Sequence, residues 1–179
     1  MLETEIKFKV QIEAMKKRLQ GLGAEKRKGF REVNIVFDTE DRSLMKSSCL
    51  LRVRQSDRNM LTFKSAPLKS RFKIREEIET EVADAKNTIT LLERLGFLPA
   101  WRYDKEREIW KLDSVKVFLD RLPEIGDYLE IEGEEKAILA AAEKLGLKMW
   151  DGTNKSYFDI FQDHCRKHGL EMHDLILEK

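Results

Sequence analysis

The sequence has few of the features that mark linkers, disulfide frameworks and membrane spans. Three prolines and nine glycines in 179 residues, with no low-complexity segment, Pro/Gly-rich linker or long-period repeat, predict one domain. The two cysteines, Cys49 and Cys165, share no metal-ligand or redox spacing, which favours free thiols in a reducing compartment over a disulfide. No signal segment opens the chain, and no apolar run approaches the roughly 20 residues of a membrane span. We therefore expect a soluble, cytoplasmic protein with no membrane partner.

An excess of charge of either sign is also missing. The 34 basic and 33 acidic residues leave a net charge of +1, so the chain has no overall field that would recruit nucleic acid. Any anion site must come from a local arrangement of side chains. The 41% of hydrophobic residues suffice for one domain with a substantial core.

Residues 1–10 predict the strand on which the rest of the interpretation depends. Glu3, Glu5 and Lys7 lie on one face of it, and Ile6 and Phe8 lie on the other. Glutamates two apart on a strand are about 7 Å apart and repel by roughly 2 kcal/mol at an effective dielectric constant near 20. In an enclosed site they can converge on one hard ion such as Mg²⁺ or Mn²⁺, with Lys7 placed to meet an anion. A solvated edge strand is the alternative interpretation.

The same alternation of a charged face and an apolar face recurs along the chain. It predicts further strands over residues 32–38, 50–55, 59–64, 71–82, 102–112, 115–122 and 128–132. Apolar residues at helical spacing predict helices over residues 11–22, 84–95, 134–145 and 155–168, and we expect loops at 26–28 and 41–48. About eight strands, mostly connected by hairpins, indicate an α+β fold with an antiparallel sheet.

The charged faces carry both signs, which is compatible with two architectures. A flat sheet could turn these faces to water, and a closed barrel could turn them into a polar lumen. Enclosing so many ionisable groups is costly unless ions or a ligand match them. A closed tunnel therefore predicts a polyanionic ligand, with carboxylates holding metal and arginines and lysines holding phosphate oxygens.

With these residues in view, the chain resembles the CYTH family, which is named for class IV adenylate cyclases and thiamine triphosphatases and is also called the triphosphate tunnel metalloenzymes. The hallmark is Glu-x-Glu-x-Lys, here Glu3-Thr4-Glu5-Ile6-Lys7. Supporting matches, in order along the chain, are Leu51-Arg52-Val53-Arg54, Lys64, Arg75-Glu76-Glu77-Ile78-Glu79, Lys105-Glu106-Arg107, Asp120, Gly126-Asp127-Tyr128-Leu129-Glu130-Ile131-Glu132 and Lys155-Ser156-Tyr157.

The resemblance implies a closed antiparallel eight-stranded β-barrel with flanking helices, formed by a single domain over residues 1–168 and followed by a C-terminal tail over 169–179. It implies that Glu3, Glu5 and Lys7 are catalytic. The metal ligands that it implies, for Mg²⁺ or Mn²⁺, are Glu3, Glu5, Glu130 and Glu132, with Asp120 as a further candidate. The implied phosphate contacts are Lys7, Arg52, Arg54, Lys64, Arg75, Lys105, Arg107 and Lys155.

The second strand departs from the family pattern. Many members have a Gln-x-Asp-x-Tyr-Phe-Asp-like strand, and here Glu32, Asn34, Val36, Phe37 and Asp38 occupy it. The missing aspartate and tyrosine put any role of this strand in doubt, but they do not affect the metal and arginine sets.

The resemblance implies a metal-dependent enzyme acting on ATP or another triphosphate, and it leaves the reaction open. Residues 5–8, Glu-Ile-Lys-Phe, look more like the class IV cyclase branch than like simple triphosphatases, so conversion of ATP to cyclic AMP and pyrophosphate is the first expectation. Hydrolysis of tripolyphosphate, thiamine triphosphate or a nucleoside triphosphate is the second. Non-catalytic binding of polyphosphate or nucleotide is the third.

Several other features keep more than one interpretation. His164 and His168 have a metal-binding spacing, but a solvated helix surface is favoured because no third ligand is indicated. The aromatic group Trp101, Tyr103 and Trp110 fits either base stacking or a core. The apolar tail could cover the tunnel, pair two subunits or pack on its own helix, and a homodimer is expected only by analogy.

Overall fold

The computed structural model describes residues 2–178. The strands are β1 (Leu2–Lys9), β2 (Glu25–Asp38), β3 (Leu50–Gln55), β4 (Met60–Lys64), β5 (Lys73–Glu81), β6 (Leu98–Leu112), β7 (Val115–Leu122), β8 (Gly126–Glu132) and β9 (Gly152–Thr153). The α-helices are α1 (Ile12–Gly21), α2 (Ser43–Lys46), α3 (Ala85–Arg94), α4 (Glu135–Lys144) and α5 (Tyr157–His168), and a 3₁₀ helix covers Met149–Asp151.

Eight of the described strands form a closed antiparallel ring. Their order is β5-β4-β3-β2-β6-β7-β8-β1, and the ring closes because β1 also pairs with β5, with Glu3 opposite Arg75 and Glu5 opposite Lys73. The two-residue β9 pairs with β1 beyond this contact, at Lys7 and Phe8. Closure leaves these eight strands with one face inside the ring and one outside. The predicted α+β fold with a closed eight-stranded antiparallel sheet is confirmed.

Apolar residues on the outer face of the ring bind the helices. Ile6, Phe8, Leu129 and Ile131 form a core with α1 and α4, and Val53 and Phe37 form a second core with α3. These residues alternate along the strands with the charged residues, so burying the outer face directs the charged face inward. In the described part of the chain, no helix has the length and apolar character required to cross a membrane.

The last helix, α5, packs against Trp101 and Tyr103 of β6, and its first turn lines the cavity. Its Phe161 and Cys165 contact Trp101, Tyr103 and other aromatic residues in a third core. A capping box starts the helix, because Ser156 accepts a hydrogen bond from the Asp159 amide and the Asp159 carboxylate accepts one from Ser156. This well-defined start fixes the position of Tyr157, the first helical residue.

Two local predictions are wrong. Residues 26–28 belong to β2 rather than to a loop, because β2 extends to Glu25 and pairs with β6 through a register shift between Lys26 and Lys28. Residues 41–48 contain α2, which is too short to produce a helical periodicity. Asp38 holds this turn in place by accepting hydrogen bonds from the amides of Thr39, Leu44 and Met45.

Candidate functional site

The interior of the ring is a cavity of about 1250 Å³ lined by charged side chains of both signs. The lining cations of the strands include Lys7, Arg52, Arg54, Lys64, Lys73, Arg75, Lys105 and Arg107. The lining carboxylates include Glu3, Glu5, Glu32, Glu77, Glu79, Glu130 and Glu132. The ring therefore brings together residues that are up to 129 positions apart, from Glu3 to Glu132, and encloses their charges.

The Glu-x-Glu-x-Lys segment forms the most tightly paired part of this interior. Lys7 Nζ lies 2.5 Å from Glu5 Oε1 and 3.3 Å from Glu130 Oε1. Burial alone would raise the pKa of Glu5, but Lys7 and Lys73 outweigh it and lower that pKa to about 2. The two carboxylates raise the pKa of Lys7 against the opposing effect of burial. Glu5 and Lys7 are therefore both charged at neutral pH.

Glu3 and Glu132 are the outer members of the predicted metal set. Lys64 Nζ lies 2.5 Å from Glu3 Oε2 and 3.1 Å from Glu77 Oε2, and Lys116 Nζ lies 2.7 Å from Glu132 Oε1. Burial raises the pKa of Glu3, and the negative charge of Glu5 raises it further, although Lys64 opposes both effects. The carboxylates of Glu3 and Glu5 are thus close enough to repel each other.

The predicted metal ligands suit a hard divalent cation by their chemistry. They are carboxylates, which Mg²⁺ and Mn²⁺ prefer. The negative charge of Glu130 opposes the lowering of the Glu5 pKa, and that of Glu5 contributes to the raised pKa of Glu3, so these carboxylates lie near one another. Among residues 2–178, no three carboxylate, histidine or cysteine side chains already converge in a metal-holding group. The lysine pairs described above account for this, because each glutamate is directed toward an ammonium group.

Asp120 is fully buried and surrounded by hydrogen-bond donors. Arg107 donates from Nε to Oδ1 over 2.6 Å and from Nη2 to Oδ2 over 2.5 Å. Lys105 Nζ and the Tyr157 hydroxyl lie 2.9 and 2.8 Å from the same Oδ2. This carboxylate therefore fixes two predicted phosphate-binding cations and ties α5 to the ring. Its further role as a metal ligand stays a prediction.

Three arginines of β3 and β5 keep a buried donor without an acceptor. Arg52 donates to the Tyr103 hydroxyl over 3.1 Å, and Arg54 donates to Glu79 over 3.2 Å. The Nε atoms of Arg52, Arg54 and Arg75 are buried, yet none has a hydrogen-bond partner among the residues that the structure describes. Buried donors are usually satisfied, so these atoms are available to an acceptor that enters the cavity.

The second strand contributes charged and polar groups in spite of its departure from the family pattern. Glu32 is 1% exposed, and its Oε2 lies 3.4 Å from Lys105 Nζ and 3.5 Å from Asn34 Nδ2. Glu32 Oε1 and Asn34 Oδ1 are buried with no hydrogen-bond partner in the described chain. Glu32 lines the cavity, whereas Asn34 is buried next to it and is not among the described residues that line the cavity.

Lys73 lies in the site, although we did not select it from the sequence. It is 7% exposed, and its Nζ lies 3.4 Å from Glu5 Oε1. Burial and the positive charge of Lys7 lower the pKa of Lys73 to about 7. Its position two residues before Arg75 on the same strand face was the signal that could have identified it.

Lys155 is the predicted phosphate contact that the structure does not bring to the cavity. Its side chain is 52% exposed, and its Nζ lies 2.5 Å from Asp163 Oδ2 of α5. In the part of the chain that is described, it lies outside the cavity lining. The neighbouring Ser156 and Tyr157 do line the cavity. The centre of the Tyr157 ring lies 5.4 Å from Lys7 Nζ and 5.2 Å from Lys105 Nζ.

Trp101, Tyr103 and Trp110 belong to the cores, and all three also lie along the cavity lining. Trp101 stacks on Tyr103 with 4.8 Å between ring centroids and on Phe161 with 6.1 Å, and Trp110 packs in the outer core. His164 and His168 contact each other on α5 with 4.5 Å between centroids, and no metal-holding group within residues 2–178 includes them.

The C-terminal tail packs along the first half of β6. Leu175 is completely buried in the α5 core, its amide donates to the Arg102 carbonyl over 3.0 Å, and its carbonyl accepts from the Asp104 amide over 2.7 Å. The Trp101 indole donates to the His173 carbonyl over 2.9 Å. Leu175 packs with Phe161 and Cys165 of α5, which is one of the three placements considered for the tail, and the tail also pairs with β6.

Comparison with known proteins agrees with this geometry. The model of the CYTH domain family matches residues 1–157. A protein of Methanocaldococcus jannaschii named "putative adenylate cyclase" is 31% identical over 134 residues, which are 74% of this chain and 77% of that protein.

Solved structures share the fold. The PH1012 protein of Pyrococcus horikoshii OT3 is 33% identical, with a TM-score of 0.79 over 88% of this chain and 98% of that one. A Hippeastrum "putative adenylyl cyclase", described as having a dominant triphosphatase activity, is 20% identical, with a TM-score of 0.66 over 96% of this chain and 97% of that one. At that identity, the second likeness concerns the fold alone.

Proposed function

Because this chain belongs to the CYTH domain family, we propose that it is a metal-dependent enzyme that binds a triphosphate inside the ring and cleaves one of its phosphoanhydride bonds. ATP is the first candidate substrate and cyclic AMP with pyrophosphate are the expected products. The relative from Methanocaldococcus jannaschii carries a corresponding name.

The observation that carries this proposal is the set of unpartnered guanidinium nitrogens. The Nε atoms of Arg52, Arg54 and Arg75 are buried donors. The three residues belong to two strands and line the same cavity. Leaving a buried donor unpaired costs about 1–3 kcal/mol, and more for a charged group. Phosphate oxygens are strong acceptors that match the guanidinium fork. A chain of phosphates would therefore satisfy all three donors together.

The metal would be held by Glu3, Glu5, Glu130 and Glu132. When bound, a hard divalent cation polarises phosphoryl oxygens and offsets their negative charge. The lysines that pair with these carboxylates are then available to phosphate oxygens, since metal and ammonium compete for the same glutamates. The glutamates would pair with the metal and the lysines with the phosphate oxygens, so that no buried charge would be left without a partner.

The remaining residues hold the substrate in position. Asp120 fixes Lys105 and Arg107 through three donor contacts, so their charges need no rearrangement when phosphate arrives. In cyclisation, the ribose 3′-hydroxyl loses its proton and attacks the α phosphorus, and pyrophosphate leaves. In hydrolysis, water attacks the terminal phosphorus, the bond from this phosphorus to the bridging oxygen breaks, and the diphosphate part of the substrate is the leaving group, so that orthophosphate forms. Both reactions use the same set of cations.

Hydrolysis is the second candidate, and one observation favours it. Trp101 stacks on both Tyr103 and Phe161, so the Trp101 ring does not offer a free face for adenine. A product assay separates the two reactions. Purified protein is incubated with ATP or tripolyphosphate and Mg²⁺ or Mn²⁺ at neutral and alkaline pH, and products are separated by chromatography.

Cyclic AMP and pyrophosphate in equal amounts would support the cyclase reaction. Orthophosphate without cyclic AMP would support hydrolysis. Binding of triphosphate without turnover under all these conditions would leave the non-catalytic binder and would refute the proposed enzyme.

A further inference from the structure

Tyr103 brings an uncharged hydroxyl to the charged interior of the ring. It lies on β6 two residues before Lys105, so the two side chains share the inward face of the strand, and both residues line the cavity. Tyr103 is 5% exposed, and its ring stacks on Trp101 with 4.8 Å between the centroids. The hydroxyl is therefore buried and is held on a ring with a fixed position.

This hydroxyl accepts a hydrogen bond but has no acceptor for its own proton. Arg52 donates to it from Nη1 over 3.1 Å, and within residues 2–178 the Tyr103 hydroxyl donates to no other group. A tyrosine hydroxyl has one proton to donate in addition to its accepting lone pairs. Since buried polar groups usually have their hydrogen bonds made, this O–H is available to an acceptor that enters the cavity.

Two other buried hydroxyl groups use their protons within the chain. Thr62 accepts from Arg52 over 3.5 Å and donates to Glu79 over 2.8 Å. Tyr157 donates to Asp120 over 2.8 Å. Tyr103 differs from both because its proton is not taken up by a carboxylate of the described chain.

Arg52 provides a second available donor next to this hydroxyl. Its Nε is buried and has no hydrogen-bond partner in the described chain. The Glu79 carboxylate lies 4.0 Å from its Nη2, which is beyond hydrogen-bond distance. The Nε–H of Arg52 and the O–H of Tyr103 are thus one charged and one neutral donor, separated by Nη1 of the same guanidinium group. A phosphoryl group presents several strong acceptor oxygens and can receive both.

We propose that the Tyr103 hydroxyl is a further substrate-binding group, which donates to a phosphoryl oxygen of the triphosphate that Arg52 holds. This inference rests on the proposed function and extends it, because the phosphate contacts implied by the family resemblance are all lysines and arginines. Arg52 supplies charge that attracts the phosphate. The tyrosine adds a directional bond that fixes how this phosphoryl group is oriented.

The test measures the affinity of the protein for a tripolyphosphate analogue in which methylene groups replace the bridging oxygens, by isothermal titration calorimetry with Mg²⁺. Tyr103→Phe removes only the hydroxyl and should weaken binding about tenfold or more. Tyr128→Phe is the matched control, because Tyr128 is also 5% exposed and is not among the described residues that line the cavity. It should bind like the wild type, and thermal unfolding should show both variants folded.

A second comparison separates direct contact from an effect through Arg52. If the tyrosine contacts the phosphate, Tyr103→Phe should still weaken binding at least about threefold when Arg52 is already replaced by alanine. Loss of the effect in the Arg52→Ala protein would mean that Tyr103 only orients Arg52, and this would overturn the inference. Equal affinity of Tyr103→Phe and the wild type would also overturn it. Failure of the wild-type protein to bind the analogue would instead refute the proposed function.

Discussion

Arg107 and Asp120 are directly opposite each other on β6 and β7 and form a two-point ion pair, with Nε–Oδ1 and Nη2–Oδ2 distances of 2.6 and 2.5 Å. Asp120 is completely buried, and Lys105 and Tyr157 share its second oxygen. One carboxylate thus organises two cations of the cavity and the start of α5. This arrangement holds the side chains of Lys105 and Arg107, which are two residues apart on β6, in one orientation.

Replacing Asp120 should therefore affect stability as well as binding. Asp120→Ala leaves Lys105 and Arg107 without their shared partner, and we expect a loss of about 3–5 kcal/mol in the free energy of unfolding. Asp120→Asn keeps the shape and part of the hydrogen bonding and should lose less. Urea unfolding measures both variants, and an Asp120→Ala variant as stable as the wild type would show that the cluster contributes nothing to folding.

The proposed metal ligand Glu5 should be required for turnover rather than for folding. Glu5→Gln keeps an oxygen near Lys7 but removes the charge that a divalent cation needs, so we expect kcat to fall at least about 100-fold. Circular dichroism should show an intact fold. Glu13→Gln, on the exposed surface of α1, is the control and should have the wild-type kcat. Full metal-dependent activity in Glu5→Gln would remove this residue from the metal set.

The pH dependence of stability should reflect Glu32. Burial alone would raise its pKa, but Lys105, Arg107 and Arg54 lower it to about 2 from an ordinary value of 4.5. Since the folded-state pKa is below that of the unfolded chain, the charged form contributes about 3 kcal/mol of stability above pH 4.5, and this is lost as the pH falls through about 2.

Glu32→Gln cannot titrate and isolates this contribution. When the pH is lowered from 7 to 3, the free energy of unfolding of the wild type should fall by roughly 2 kcal/mol relative to that of Glu32→Gln. Urea unfolding at both pH values gives the two differences. A difference that does not change with pH would mean that the cations do not depress the pKa of Glu32.

The tail should contribute to stability through one residue. Leu175 is completely buried among Trp101, Tyr103 and Phe161, so Leu175→Ala should cost about 2–5 kcal/mol. The adjacent Ile176 is 49% exposed, and Ile176→Ala should cost less than about 0.5 kcal/mol. Thermal or urea unfolding compares the pair, and equal stabilities would show that the tail does not dock as described.

The sequence predicted the ring interior well because alternation is a local signal. In β1, Glu3, Glu5 and Lys7 lie on one face of the strand, and the apolar Ile6 and Phe8 lie on the other. Because the apolar face is buried against helices, the charged face points into the ring. The same reasoning predicted the cations of β3 to β6. It could also have predicted Lys73, which lies on the same face of β5 as Arg75.

Other features depend on contacts that no local pattern contains. Residues 26–28 look like a loop in isolation, and only pairing with β6 extends β2 through them. Lys155 follows the family motif, but the start of α5 turns it toward Asp163 and turns Tyr157 inward. The partnering of each glutamate with a lysine and the unpaired oxygens of Glu32 and Asn34 depend on three-dimensional distances between strands.

The most direct test of the central claim measures whether the arginines inside the ring bind the triphosphate. The ligand is a tripolyphosphate analogue in which methylene groups replace the bridging oxygens, so that it is not hydrolysed. Its dissociation constant is determined by isothermal titration calorimetry for the wild type, Arg54→Ala and the exposed control Arg166→Ala on α5. Hydrogen bonds to charged groups contribute about 1.5–3 kcal/mol, so Arg54→Ala should weaken binding about 10- to 100-fold, and Arg166→Ala should bind like the wild type. Equal affinity of Arg54→Ala and the wild type would contradict binding of the triphosphate inside the ring.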